Sequence, residues 1–129
     1  MKRLVCALLF GVAALHPALA MDQSLVRQFK KLDPQTRLEQ RCDTEAMERI
    51  NKDDSGFRPD KVIAYSFGEP LYDTNQIKAP GAVFRSKGEW YRLKFKCVTG
   101  PDHIEVLSLK YKIGEQVPRE QWDGHYLYP

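Results

Sequence analysis

Apolar residues recur in two rhythms along this chain, and the change between them falls near Lys61. Between residues 34 and 52, Leu38, Cys42, Ala46 or Met47, and Ile50 recur at helical spacing, with Arg37, Glu39, Arg41, Asp43, Glu45, Glu48 and Arg49 around them. Asp33 supplies an N-cap, Pro34 suits the first helical turn, and no further glycine or proline interrupts the run up to Lys52. The segment is a predicted helix with Cys42 on its core stripe. Leu25, Val26, Phe29 and Leu32 predict a shorter helix over residues 24–32, and Gly56 and Pro59 predict a loop over residues 51–60.

From Lys61 onward the period falls to two, and β-branched and aromatic residues become frequent. Strands are predicted at 62–67, 82–86, 90–98 and 104–113, with turn-rich segments at 68–80, at Lys87-Gly88 and at Thr99-Gly100-Pro101-Asp102. In the third strand Tyr91, Leu93, Phe95 and Cys97 share one face, opposite Trp90, Arg92, Lys94 and Lys96. In the fourth, Leu107, Leu109, Tyr111 and Ile113 oppose Ser108, Lys110 and Lys112. One face is apolar and the other basic. The expected fold class is α+β, with N-terminal helices packed on one face of an antiparallel sheet of about four strands. Trp122, Tyr126 and Tyr128 enrich the tail, which is expected to form a short helical turn and pack along an edge or face of the sheet.

Residues 1–20 change the context. Lys2 and Arg3 precede an apolar run from Leu4 to Leu15, Pro17 breaks it, and Ala18-Leu19-Ala20 follows as a small-x-small site. That run is too short to span a bilayer and has the length of a signal-peptide apolar region, so cleavage after Ala20 and export are expected. The exported protein, residues 21–129, is one small domain, periplasmic or secreted and not membrane-spanning. Cys6 leaves with the signal, so Cys42 and Cys97 form the one possible pair. A disulfide is expected, because thiols of exported domains oxidise, and it pins the helix across the sheet.

Charge matters through its distribution. Residues 21–129 hold 18 basic and 17 acidic side chains, yet residues 78–112 hold 8 basic and 3 acidic. Arg92, Lys94, Lys96, Lys110 and Lys112 alternate outward, Trp90 shares their parity, and Arg85 and Lys87 precede them. Such a face suits an anionic ligand, whether anionic lipid, acidic glycan or acidic envelope protein. Nucleic acid, which an exported protein seldom meets, is not an expected partner. The other reading is that lysines solvate an open sheet face and discourage edge pairing, while the C-terminal aromatics cover Trp90.

Other chemistry is sparse. Asn51-Lys52-Asp53-Asp54-Ser55-Gly56 imitates the first half of a calcium loop, but Val62 stands where the bidentate carboxylate is required. There is no Gly-x-Ser-x-Gly elbow, and His103 and His125 lack metal-ligand spacing, so no catalytic residue, metal or cofactor is assigned. The leading expectation is a binding or interaction module. A small envelope enzyme using a helix-sheet pocket with Asp102, His103 or Tyr111 is one rival, and a structural envelope protein is another.

Leu38-Glu39-Gln40-Arg41-Cys42, the segment Gly81-Ala82-Val83-Phe84-Arg85-Ser86-Lys87-Gly88-Glu89-Trp90-Tyr91-Arg92-Leu93, and Cys97 carry a resemblance. Together they resemble the bacterial, mainly rhizobial family catalogued as domain of unknown function 930, from about Leu32 to the C-terminus. The resemblance implies a bacterial envelope protein. It carries over no reaction, ligand or site residue.

Overall fold

The computed structural model describes residues 21–129, and the signal peptide expected at residues 1–20 lies outside the described residues. Asp33 starts the longest helix as its place before Pro34 predicts, its carboxylate accepting the Thr36 amide at 3.1 Å. Hydrogen bonding from Thr36, its side chain foremost and then its amide, holds the Asp33 carboxyl below its ordinary range. Two helices result among the described residues, α1 (Gln23–Lys30) and α2 (Pro34–Asp53). Arg37 locks the bend between them, donating to the carbonyls of Phe29, Lys30 and Leu32 at 3.0–3.2 Å.

Five strands follow: β1 (Pro59–Ile63), β2 (Leu71–Asp73), β3 (Gln76–Ser86), β4 (Glu89–Thr99) and β5 (Val106–Gln116). They form one antiparallel sheet in the order β1-β3-β4-β5, with β2 pairing the early part of β3. The expected α+β class holds, with one strand more than the sequence predicts. That strand is β2, within residues 68–80 expected to be turn. There β2 and the start of β3 make a hairpin around Thr74 and Asn75.

Pro80 and Gly81 lie inside β3 rather than ending it. Ala79 pairs Phe95 while Ala82 pairs Leu93, so Pro80 and Gly81 together oppose Lys94 as a bulge. At this point β3 exchanges β2 for β1 as its second partner. Gly81 is required by crowding: a β-carbon there would stand 2.5 Å from the Phe67–Gly68 backbone, and the Gly81 carbonyl accepts the Phe67 amide at 2.8 Å.

The sheet has a core on each side. Facing α2, Leu38, Cys42, Ala46 and Ile50 pack on Ile77, Phe84, Leu93, Phe95, Cys97 and Leu109. Cys42 and Cys97 are joined by a disulfide with Cα atoms 6.0 Å apart, so the helix is stapled to β4. On the outer face Val83, Trp90, Val117, Trp122 and Leu127 make a second cluster. The tail, in two short 3-10 turns at Arg119–Gln121 and Asp123–His125, supplies its lid.

Two expectations about facing need correction. Leu107 does not share the inner face with Leu109: Val98 pairs Ser108 but Thr99 pairs Val106, so Leu107 is a bulge residue. Val106 takes the inward place beside the core, and Leu107 is 60 % exposed. Arg41 and Asp43, expected around the polar side of α2, are buried on either side of Cys42.

Candidate anion-binding site

The register of β3, β4 and β5 decides where the basic residues meet. Lys78 pairs Lys96 and Lys96 pairs Lys110, which makes one row of three lysines across three strands. Lys94 pairs Lys112 in the next row, with Pro80 of the bulge beside Lys94. Neighbouring strands lie about 4.8 Å apart and same-face residues on a strand about 6.7 Å apart, so five ammonium groups share a patch of molecular dimensions. All five lysines are exposed, and the residues that alternate with them, Ile77, Ala79, Phe95 and Leu109, are buried on the opposite face. Between the lysine stems lies a depression of about 290 Å³.

Among the described residues, no carboxylate forms an ion pair with any of the five; the ion pairs fall on Arg41, Arg49, Arg85 and Arg119. Asp73, which pairs Gln76, occupies the next outward row beyond Lys78, and Glu115 lines a shallow cavity with Lys94 and Lys112, but neither exposed carboxylate forms an ion pair with a patch lysine. Directly opposed like charges destabilise a sheet. The arrangement leaves three such lysine pairs uncompensated.

The remaining basic residues of the predicted face are occupied elsewhere. Arg85 grips Asp60 through two bonds of 2.9 and 3.1 Å, and this holds the Asp60 carboxyl below its ordinary range. The Arg92 guanidinium lies 3.8 Å from the centre of the Phe67 ring. Lys87 occupies the β3–β4 hairpin turn at φ 51°, at the far end of the sheet. Trp90 is not an exposed ligand contact but is covered by the tail, as the alternative reading of this face expects: it is 1 % exposed, and its indole donates to the Tyr128 carbonyl at 2.7 Å. Of the predicted surface the structure groups Lys94, Lys96, Lys110 and Lys112. Lys78 joins them unpredicted, because Pro80-Gly81 made its surroundings read as turn.

The residues named for an enzymatic pocket do not converge. His103 is buried, its ring nitrogens 2.8 Å from the carbonyls of Pro34 and Thr74, where it ties the start of α2 to the β2–β3 turn. Tyr111 donates to Asp53 at 2.9 Å, at the other end of α2. Nineteen residue steps of helix separate these ends, about 28 Å. Asp102 is exposed, its carbonyl accepting from Arg37. The would-be calcium loop begins as helix, since Asn51–Asp53 complete α2, and the Asp54 carboxylate is turned onto the Gly56 amide. Among the described residues no three His, Cys, Asp or Glu side chains are grouped to hold a metal.

One acidic feature escaped the sequence. Asp43 is buried with Oδ1 lacking a hydrogen-bond partner, and burial, aided by the charge of Glu39, pushes its carboxyl well above its ordinary range. Glu39 accepts from the Tyr72 hydroxyl at 2.7 Å, and burial foremost raises the Tyr72 phenol beyond its usual range. Glu39 and Asp43 line a cavity of about 380 Å³ against β1.

Two comparisons found nothing: no curated protein and no solved structure matches the chain. A family model described as Domain of Unknown Function (DUF930) matches residues 29–127.

Proposed function

The chain belongs to the DUF930 family, and from that premise we propose that it is an exported module, periplasmic or secreted in a bacterial envelope, that binds anionic ligands through the lysine face of its sheet. The observation that carries this reading is the row Lys78–Lys96–Lys110 beside Lys94–Lys112, exposed and without acidic partners. A protein that only needed a soluble sheet face would gain stability by alternating lysine with glutamate across strands. Uniform sign concentrates positive potential instead, and such a surface attracts a polyanion despite a nearly neutral whole. Export is supported by the charge, apolar run and Ala18-Leu19-Ala20 of the first 20 residues, and by the Cys42–Cys97 bridge.

The test is a titration of the oxidised protein, residues 21–129, with polyphosphate and with phosphatidylglycerol vesicles over a range of salt. Binding is expected to weaken steeply as salt rises, since exposed charges are screened over about 8 Å at physiological ionic strength. Charge reversal at Lys94 and Lys110 together is expected to abolish it with the fold intact. Salt-independent binding, or none, refutes the reading. Export is tested separately by the intact mass of protein recovered from a bacterial periplasm: a mature protein beginning at Met21 supports it, and one retaining residues 1–20 overturns it.

A further inference from the structure

Resting on the lysine-face reading, we infer that the anionic ligand is a lipid bilayer surface, onto which the sheet docks with Leu71 and Leu107 as apolar anchors. Two large aliphatic side chains are strongly exposed among the described residues, Leu71 at 63 % and Leu107 at 60 %. Both border the lysine patch. Leu71 pairs Lys78 directly, so it extends the central row to Leu71–Lys78–Lys96–Lys110 across four strands. Leu107 stands at the other edge as the extra residue of the β5 bulge, between Ser108, which pairs Val98, and Val106, which pairs Thr99. The two leucines therefore flank the lysines from opposite edge strands, about 14 Å apart across the sheet at the usual strand spacing.

An exposed leucine on an edge strand costs solubility and contributes nothing to holding a soluble polyanion. At a membrane the same residue enters the boundary between headgroups and acyl chains while neighbouring lysines meet phosphates, the combination by which peripheral surfaces bind anionic bilayers. The patch has that composition and an open, shallow form, since the depression between the lysine stems lies open to solvent rather than enclosed. None of the helices among the described residues is long and apolar enough to cross a membrane, so attachment of this kind would be peripheral.

The experiment is sedimentation of the oxidised protein with vesicles of phosphatidylcholine alone or with 30 % phosphatidylglycerol, alongside titration with polyphosphate. Preference for the anionic vesicles is expected. Leu71→Ser with Leu107→Ser should lower partition into them by about tenfold per leucine, because each loses the burial of one leucine side chain, while polyphosphate affinity stays unchanged. Lys96→Glu should lower both. A Leu71→Trp variant gives an independent readout, its difference emission moving to the blue with anionic vesicles and not with polyphosphate. Vesicle partition indifferent to both serine substitutions, or no blue shift, overturns the bilayer inference while leaving the anion-binding face standing. Failure of the unaltered protein to bind either probe overturns that face itself.

Discussion

Lys96 lies between Lys78 and Lys110 on the outer face of the sheet, with an opposed lysine on each side. Replacing it by glutamate turns two repulsive cross-strand pairs into attractive ones. Each cross-strand pair of charges contributes roughly 0.2–1 kcal/mol, and the exposed setting favours the lower half of that range. Lys96→Glu should therefore stabilise the fold by about 0.5–1.5 kcal/mol, a rise in melting temperature of roughly 3–8 °C for a domain of this size. Lysine and glutamate have similarly modest strand propensities, so the gain reports charge rather than backbone preference. Urea unfolding in low salt and in 1 M salt, where the screening length falls to about 3 Å, isolates it: the gain should shrink in high salt. The same variant should lose affinity for anionic vesicles and for polyphosphate. Stabilisation joined to lost binding means that the lysine row is held against the interests of the fold. Unchanged or lowered stability in low salt would show that the lysines do not repel one another, and retained affinity would show that their concentration serves solubility alone.

Trp90→Ala should cost about 3–5 kcal/mol, the usual loss for a fully buried large aromatic, and the variant's folded fraction should still sediment with anionic vesicles. A loss under 1 kcal/mol in urea unfolding would mean that the tail does not cover the ring. Serine at Cys42 or Cys97 should destabilise the protein by roughly 2–5 kcal/mol, and thiol labelling of the denatured, unreduced protein, residues 21–129, should find no free cysteine. Asp43 has a folded-state affinity for its proton above that of the unfolded chain, so its contribution is complete in acid and is lost as pH rises through the raised folded value. Asp43→Asn should leave stability unchanged near pH 3 and add up to about 1.4 kcal/mol per pH unit above the unfolded carboxyl's range; parallel urea midpoints for the two proteins across that range would contradict it. Gly81→Ala should cost about 1–3 kcal/mol, because the new methyl group meets the Phe67–Gly68 backbone, and chemical denaturation measures the loss.

Signals confined to one element were legible in the sequence. Asp33-Pro34 announced α2 and the apolar spacing gave its buried stripe, while alternation in β4 placed Cys97 inward to meet Cys42. What failed depended on a second segment. Pro80-Gly81 reads as a turn until β1 and β2 are both known to pair β3, when it becomes the bulge at which one partner replaces the other. Lys78 precedes that dipeptide, so its strand position is hidden with it. A single inserted residue at Leu107 exchanged its facing with Val106, since a one-residue slip in a strand reverses every side chain beyond it. For Trp90, outward parity left exposed and covered readings both open, and the covered one holds because a tail about thirty residues downstream closes over the ring. Asp43 read as solvent-facing because charge is ordinarily excluded from interiors, and nothing local marks the exception.

The two halves of the outer face solve opposite problems with the same strands. At the Trp90 end, β3 and β4 present Val83 and Trp90, which require cover, and Trp122 and Leu127 of the tail provide it. At the other end the same strands present Lys78, Lys94 and Lys96, which require water or an anion, and β5 extends them with Lys110 and Lys112 instead of an apolar pair. The inner face is uniform throughout, closed by α2 and the disulfide. Stability is thus derived from the inner face and the Trp90 end; the lysine rows only subtract modestly from it through their mutual repulsion, and the fold persists whichever polar residues occupy them. That independence is the physical reason substitutions there separate binding from folding, whereas Trp90, Gly81 and the cysteines cannot be altered without disturbing the scaffold on which the lysines are arrayed.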